Sequence, residues 1–171
     1  VINTLPCIVL DAPCSGELHV LGQPQRRKEW TPRQTKMLAQ RQLALAAAAA
    51  HALRPGGLLL YSTCAMSPFE NELMVQSLLA RFEGALIPEP WPAATLPALL
   101  SRPANLKPLE NVADVTVDAR LVQSAWRFRP SDFGEPFFAT LLKKVSPTTP
   151  KKPGNRPDPQ WVWGISEGIG V

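Results

Sequence analysis

Two short apolar runs, each closing in a polar residue and a cysteine, flank one long helical segment, and few folds accept that order. Ile8-Val9-Leu10 stops at Asp11 and passes into Ala12-Pro13-Cys14-Ser15-Gly16, while Leu58-Leu59-Leu60-Tyr61 runs into Ser62-Thr63-Cys64. Apolar runs of this length without polar alternation predict strands buried on both faces. Between them, Thr31-Pro32 supplies an N-cap and a first-turn proline, and the Ala/Leu/Gln-rich stretch to Leu53 has high helix propensity. Arg54-Pro55-Gly56-Gly57 then ends the helix in a tight turn. Strand, helix and strand in this order predict a parallel crossover unit and an α/β fold.

Downstream, Ser67-Pro68-Phe69-Glu70 reads as a capping box, and Phe69, Leu73, Leu79 and Phe82 recur at helical spacing, predicting a second helix over Pro68–Phe82. Six prolines between Pro88 and Pro108 predict an extended surface connection. Val112–Val117, Ser124–Arg129 and Phe137–Leu142 read as strands, the last two as an antiparallel hairpin at the sheet edge. The architecture expected is the second half of a doubly wound sheet, with Ile8–Asp11 and Leu58–Thr63 as parallel neighbours and an antiparallel edge hairpin. Residues 1–145 would form this unit. Residues 146–159 hold five prolines with Lys151 and Lys152, so the tail over 146–171 is expected to be disordered.

A length of 171 residues with 45% hydrophobic content suits one modest core. The first residue is Val, and by Cys7 the chain is already in a buried-looking run, which reads as part of a longer protein. No run approaches the ~18 apolar residues of a spanning helix, and the first twenty residues lack the pattern of a signal peptide. Cys7, Cys14 and Cys64 are odd in number and unevenly spaced, unlike a disulfide framework, so a reducing, cytoplasmic setting is expected. Three scattered cysteines and two lone histidines do not supply a zinc site, and no metal is expected. The net charge of +4 is local: Gln23–Gln42 carries Arg26, Arg27, Lys28, Arg33, Lys36 and Arg41 against Glu29 alone. Such a segment is either a solvated helix face or a sequence-blind phosphate contact.

Cys14 and Cys64 occupy equivalent places, each just past or at the end of a predicted parallel strand. Ligands of open α/β sheets bind outside those strand ends, so both thiols should face one crevice. The alternative for a free cysteine is a small buried apolar residue. Asp11 reads either as a turn-former at a strand end or as a carboxylate of the same crevice. His19 and His51 carry no assignment, the five tryptophans are too scattered for a stacking platform, and Glu70 is accounted for by capping.

These residues carry a family resemblance. Asp11-Ala12-Pro13-Cys14-Ser15-Gly16, the helix ending Leu53-Arg54-Pro55-Gly56-Gly57, and Tyr61-Ser62-Thr63-Cys64 with Asn71-Glu72 resemble the Sun family of RNA cytosine-C5 methyltransferases, and Gly134–Lys143 resembles that family's closing strand. The resemblance implies a Rossmann-like methyltransferase fold, S-adenosyl-L-methionine as methyl donor and RNA as substrate, rRNA before tRNA, with the protein a monomer. It assigns the nucleophile to Cys64 and product release to Cys14. Asp11 would sit beside the base and the donor, with Pro13 stiffening the donor-side loop, and Arg26, Arg27, Lys28, Arg33 and Lys36 would meet RNA phosphates. Leu18 stands where the family often has a second glycine, and Phe69 where an acid is frequent. No glycine-rich loop after a first strand is present, so the expectation is a C-terminal part of a catalytic domain without the donor's main cradle. A non-catalytic RNA-binding remnant of such an enzyme is the alternative.

Overall fold

The computed structural model describes residues 2–17, 23, 25, 31–92, 111–112, 115–128 and 136–150. Strand β1, Leu5–Asp11, is followed by helix α1, Pro32–Ala52, and by strand β2, Leu53–Thr63, which pairs with β1 in parallel. The predicted crossover unit is therefore present. Thr31 caps α1, its hydroxyl accepting from the Gln34 amide at 3.2 Å. Thr35, Ala39, Gln42, Leu43, Ala46, Ala47 and Ala50 form the buried stripe of that helix. Mostly small, they let α1 lie close on the sheet.

The chain continues through α2 (Glu72–Arg81), β3 (Leu86–Pro88), the two-residue strands β4 (Asn111–Val112) and β5 (Val115–Thr116), α3 (Ala119–Ser124), β6 (Ala125–Phe128) and β7 (Phe137–Lys144). The main sheet runs β1-β2-β7-β3, with β6 also paired to β7. β7 is antiparallel to all three of its neighbours. It is the inner member of the expected hairpin, with β6 outside it beside Phe137–Thr140 and β3 outside it beside Leu142–Lys144. Leu43, Ala46, Leu59, Tyr61, Leu73, Val75, Leu78, Phe138 and Leu142 join in one core between α1, α2 and the sheet.

The far end of this unit is stitched by Lys144, which is fully buried and donates to the Ala50 carbonyl at 2.7 Å and to Asn3 Oδ1 at 2.6 Å. The Asn3 and Thr4 amides take the His51 and Ala52 carbonyls at 2.8 and 2.9 Å. Orphan carbonyls of α1 are thus satisfied, with a cation at the negative end of the helix dipole. In β2 the Pro-Gly-Gly segment is a bulge, a step of five residues from Leu53 to Leu58 facing a step of two from Leu5 to Cys7. A Cβ on Gly57 would stand 2.9 Å from the Arg54 carbonyl oxygen and 3.1 Å from that of Leu5, so only glycine fits there.

Four expectations change. β1 is not buried on both faces: Ile8 and Leu10 face the core, but Cys7 is exposed and Val9 is 66% exposed, because among the described residues only one face and one edge of β1 are covered. Val112–Val117 is not one strand, since β4 and β5 pair with each other. The second helix starts at Glu72 rather than Pro68, with Asn71 as its N-cap. β3 had not been expected. Residues 146–150 of the tail are described, with Thr148 bonded to Asn3 and His51, and residues 151–171 lie outside the described residues.

Candidate active site

Parallel pairing places Asp11 opposite Ser62, so the segments following both strands leave the sheet at one end. The Ala12 amide donates to the Ser62 carbonyl at 2.9 Å, and the Ser62 hydroxyl to Asp11 Oδ1 at 3.0 Å. Three residues past Asp11, the Cys14 sulfur lies 2.8 Å from that of Cys64, and both residues are partly exposed. The two thiols meet at the same end of the sheet.

The turn after Cys64 is held on every side. Ala65 receives from Asn71 Nδ2 on its carbonyl at 3.0 Å, while its amide donates to Thr63 Oγ1 at 3.3 Å. The amides of Met66 and Ser67 donate to Glu17 Oε2 at 2.8 and 2.7 Å. The Met66 carbonyl accepts from Arg127 Nη1 at 2.7 Å, and Arg127 is itself fixed by Glu72 through bonds of 2.8 and 2.5 Å. Gly16 turns the opposite loop with φ of +59°, a left-handed conformation suited to glycine, before Glu17 reaches across.

The Cys14 loop has its own support. Glu70, fully buried, accepts from the Ser15 amide at 3.0 Å and from Gln42 Nε2 at 2.7 Å, and the same Gln42 nitrogen donates to the Pro13 carbonyl at 2.9 Å. Tyr61 donates its hydroxyl to the Glu70 carbonyl at 2.7 Å. Burial raises the Glu70 carboxyl above its ordinary value, against the bonds from Ser15 and Gln42 that lower it. The capping box is not formed. Glu70 does not reach back to Ser67, whose amide is taken by Glu17.

Burial pushes the Cys64 thiol up to about 12, reinforced by the hydrogen bond and charge of Cys14 and, to a lesser degree, by the charge of Asp11. Asp11 and Pro13 are exposed at the end of β1. Arg33 and Lys36 are exposed at the start of α1, Lys36 with its ammonium 5.9 Å from the Phe69 ring centre. Arg26, Arg27 and Lys28 lie outside the described residues. Among the described residues no three His, Cys, Asp or Glu side chains come together as a metal site, and no helix is long and apolar enough to cross a membrane.

Sequence reasoning missed Glu17, Gln42 and Arg127 and misread Glu70. Gln42 had a signal: it falls on the helical stripe of Ala39 and Ala46, where an amide must find buried partners.

A family described as 16S rRNA methyltransferase RsmB/F matches residues 3–140. Ribosomal RNA small subunit methyltransferase F of Klebsiella pneumoniae (strain 342) is 33% identical over 144 residues, 84% of this chain and 26% of that protein. Its counterpart in Cronobacter sakazakii (strain ATCC BAA-894) is 46% identical over 79 residues, 46% of this chain and 16% of that protein. The chain thus spans about a quarter or less of these relatives. Among solved structures, a methyltransferase homolog protein from Pyrococcus horikoshii superposes with a TM-score of 0.62 at 26% identity, over 82% of this chain and 39% of that one. NSun6 from Pyrococcus horikoshii, solved with SFG, does so with a TM-score of 0.54 at 28% identity, over 81% and 30%. Paired thiols at the ends of two parallel strands, on a fold shared with methyltransferases and within a match covering most of the chain, lead to one statement of kinship: the chain belongs to the RsmB/F family of 16S rRNA methyltransferases.

Proposed function

We propose that this chain is the nucleophile-bearing, C-terminal part of the catalytic domain of an enzyme that methylates C5 of cytosine in RNA, rRNA in preference to tRNA, through a covalent bond from Cys64 to C6 of the base. The observation that supports it most is the sulfur pair of Cys14 and Cys64, 2.8 Å apart, with Asp11 at the same strand end. Cytosine C5 is a poor nucleophile, and addition of a thiolate at C6 turns the ring into an enamine that can attack an electrophilic methyl.

Cys64 needs to lose its proton to attack, and the nearest acceptor is the Cys14 sulfur. As the Cys64–C6 bond forms, charge develops on the ring, and Asp11 hydrogen-bonds the amino edge or holds a proton at N3. Once C5 has been alkylated and has lost its proton to a base, the ring electrons return and expel Cys64. Cys14 then returns the proton to the leaving sulfur, which is its release role. Bound S-adenosyl-L-methionine supplies the sulfonium methyl. The exposed Asp11 carboxylate fits a cationic donor, and Asp11 with the Pro13 loop would hold the donor's methyl-bearing side.

Arg33 stands in the first turn of α1, which has no acidic residue, and Lys36 just after it. Cations there oppose the helix dipole, a placement better suited to binding phosphates than to stabilising the helix. With Arg26, Arg27 and Lys28 they would guide RNA to the crevice.

Cytosine carrying tritium at C5 tests this reading in the enzyme that contains these residues. Methyl transfer should release tritium in step with 5-methylcytidine formation. Methyl found on the exocyclic nitrogen with tritium retained would refute it.

A further inference from the structure

The same two sulfurs have a second chemistry open to them, one that needs neither RNA nor a methyl donor. We propose that Cys14 and Cys64 are a site of reversible oxidation, closing to an intramolecular disulfide when the chain meets a hydroperoxide. The sulfurs lie 2.8 Å apart, in residues open enough for a small oxidant to reach. A disulfide needs about 2.05 Å between sulfurs, so closure asks for a movement of less than about 1 Å.

The loops that carry them cannot easily part. Glu17 ties residue 17 to the amides of Met66 and Ser67, Glu70 ties itself to the Ser15 amide, and the Ala12 amide is bonded to the Ser62 carbonyl. These cross-links hold both cysteines in register, and they act whether the thiols are reduced or joined. Cys7, the remaining cysteine, lies on β1 opposite Leu58, in the strand body rather than at its end.

The chemistry balances within the pair. The Cys14 thiolate attacks one peroxide oxygen, the O–O bond breaks, and the leaving oxygen is protonated to water or an alcohol, leaving Cys14 as a sulfenic acid. Cys64 sulfur then attacks the Cys14 sulfur, the S–O bond breaks, and the departing hydroxide takes the Cys64 proton as water. Two thiols have lost two electrons and the peroxide has gained them. A dithiol reverses the step by exchange. On the reading proposed above, the closed pair cannot attack a base, so oxidation would suspend methyl transfer without changing the fold.

The experiment uses hydrogen peroxide as the probe on the full 171-residue chain, with alkylation and peptide mass mapping as readout. Trypsin leaves Cys7 and Cys14 together on the Val1–Arg26 peptide, so a Cys7→Ser chain makes the assignment unambiguous. Folded Cys7→Ser chain should lose the mass of two hydrogens, lose alkylation at Cys14 and Cys64 together, and yield one cross-linked peptide pair, all restored by dithiothreitol. In denaturant the unmodified chain should switch to a Cys7–Cys14 link, because the shorter loop closes at lower entropic cost. Sulfinic acid on one cysteine with the other still alkylated, a disulfide-linked dimer, or a Cys7–Cys14 link in the folded chain would overturn the proposal. None of these outcomes depends on RNA, so they leave the methyl-transfer reading to its own test.

Discussion

The carboxylate of Glu70 meets the backbone amide of Ser15 at 3.0 Å across 55 residues of sequence, joining the turn that precedes α2 to the loop that carries Cys14. Glu17 makes the converse link, from the Cys14 loop to the amides beyond Cys64. Each loop is therefore held by an acid belonging to the other. The two thiols meet because of this exchange as much as because their strands are parallel.

Replacing Glu70 separates its charge from its hydrogen bonds. Glu70→Ala orphans the Ser15 amide, which costs about 1–3 kcal/mol when left without a partner, and leaves the Gln42 amide with its bond to the Pro13 carbonyl. Glu70→Gln keeps an acceptor and removes the buried charge. Because burial raises this carboxyl, the folded chain keeps its proton to higher pH than the unfolded chain, so wild-type stability should fall relative to Glu70→Gln as pH rises from the ordinary value of 4.5. Urea titrations at several pH values should show this divergence, and parallel curves would contradict it.

How much of this was open to sequence reasoning follows the range of the interactions. The parallel pair was legible because apolar runs and an alanine-rich helix are local patterns that agree with one another, although the Pro-Gly-Gly segment expected as a tight turn is a bulge within β2. The meeting of Cys14 and Cys64 was legible because parallel strands end on the same side. Glu70 was misread because a capping box is also a local pattern, and nothing near Ser67 in sequence announces that Glu17 will take its amide from 50 residues away. β3 was invisible at three residues with Pro88 at its end. The exposed outer side of β1 was unreadable because Cys7 and Val9 look the same whether or not something covers them.

The Arg127–Glu72 pair should be costly to break and cheap to replace. The Glu72 side chain is fully buried and that of Arg127 is 13% exposed, and Arg127 also holds the Met66 carbonyl. Arg127→Met alone should destabilise by about 3–5 kcal/mol, by taking the opposite charge away from a buried carboxylate. Arg127→Met with Glu72→Leu should recover much of that in a double-mutant cycle. Additive losses would show that the pair is not coupled.

His51 gives stability a slope near neutral pH. Burial, then the charges of Lys144 and Arg81, lower its pKa below 6.5. The unfolded chain therefore takes up a proton before the folded chain does, and stability falls as pH drops from 6.5 through the folded value. His51→Gln should flatten that part of the thermal-stability profile, and an unchanged slope would place its origin elsewhere.

Arg33 and Lys36 should add to RNA affinity without adding to sequence preference. Each cation that neutralises a phosphate contributes roughly 0.7 to the log–log salt slope on single strands. Binding of unpaired RNA by Arg33→Ala and by Lys36→Ala, measured across a salt series, should show a slope shallower by that amount for each. A slope unchanged in both would return these residues to a solvated helix face.

The central claim gives one kind of atom opposite roles at two positions, and an adduct assay with labelled RNA on a denaturing gel tests it most directly. In the enzyme that carries these residues, Cys64→Ala should abolish both methylation and any covalent RNA complex. Cys14→Ala removes the neighbouring acceptor of the Cys64 proton but also two of the influences that hold that proton in place, so attack should survive with the proton passing to water, while the leaving sulfur has lost its proton donor. Protein covalently joined to RNA should therefore accumulate in Cys14→Ala, and more readily on unpaired cytosine, which needs no unstacking. A stable adduct in Cys64→Ala with none in Cys14→Ala would reverse the assignment and contradict the account.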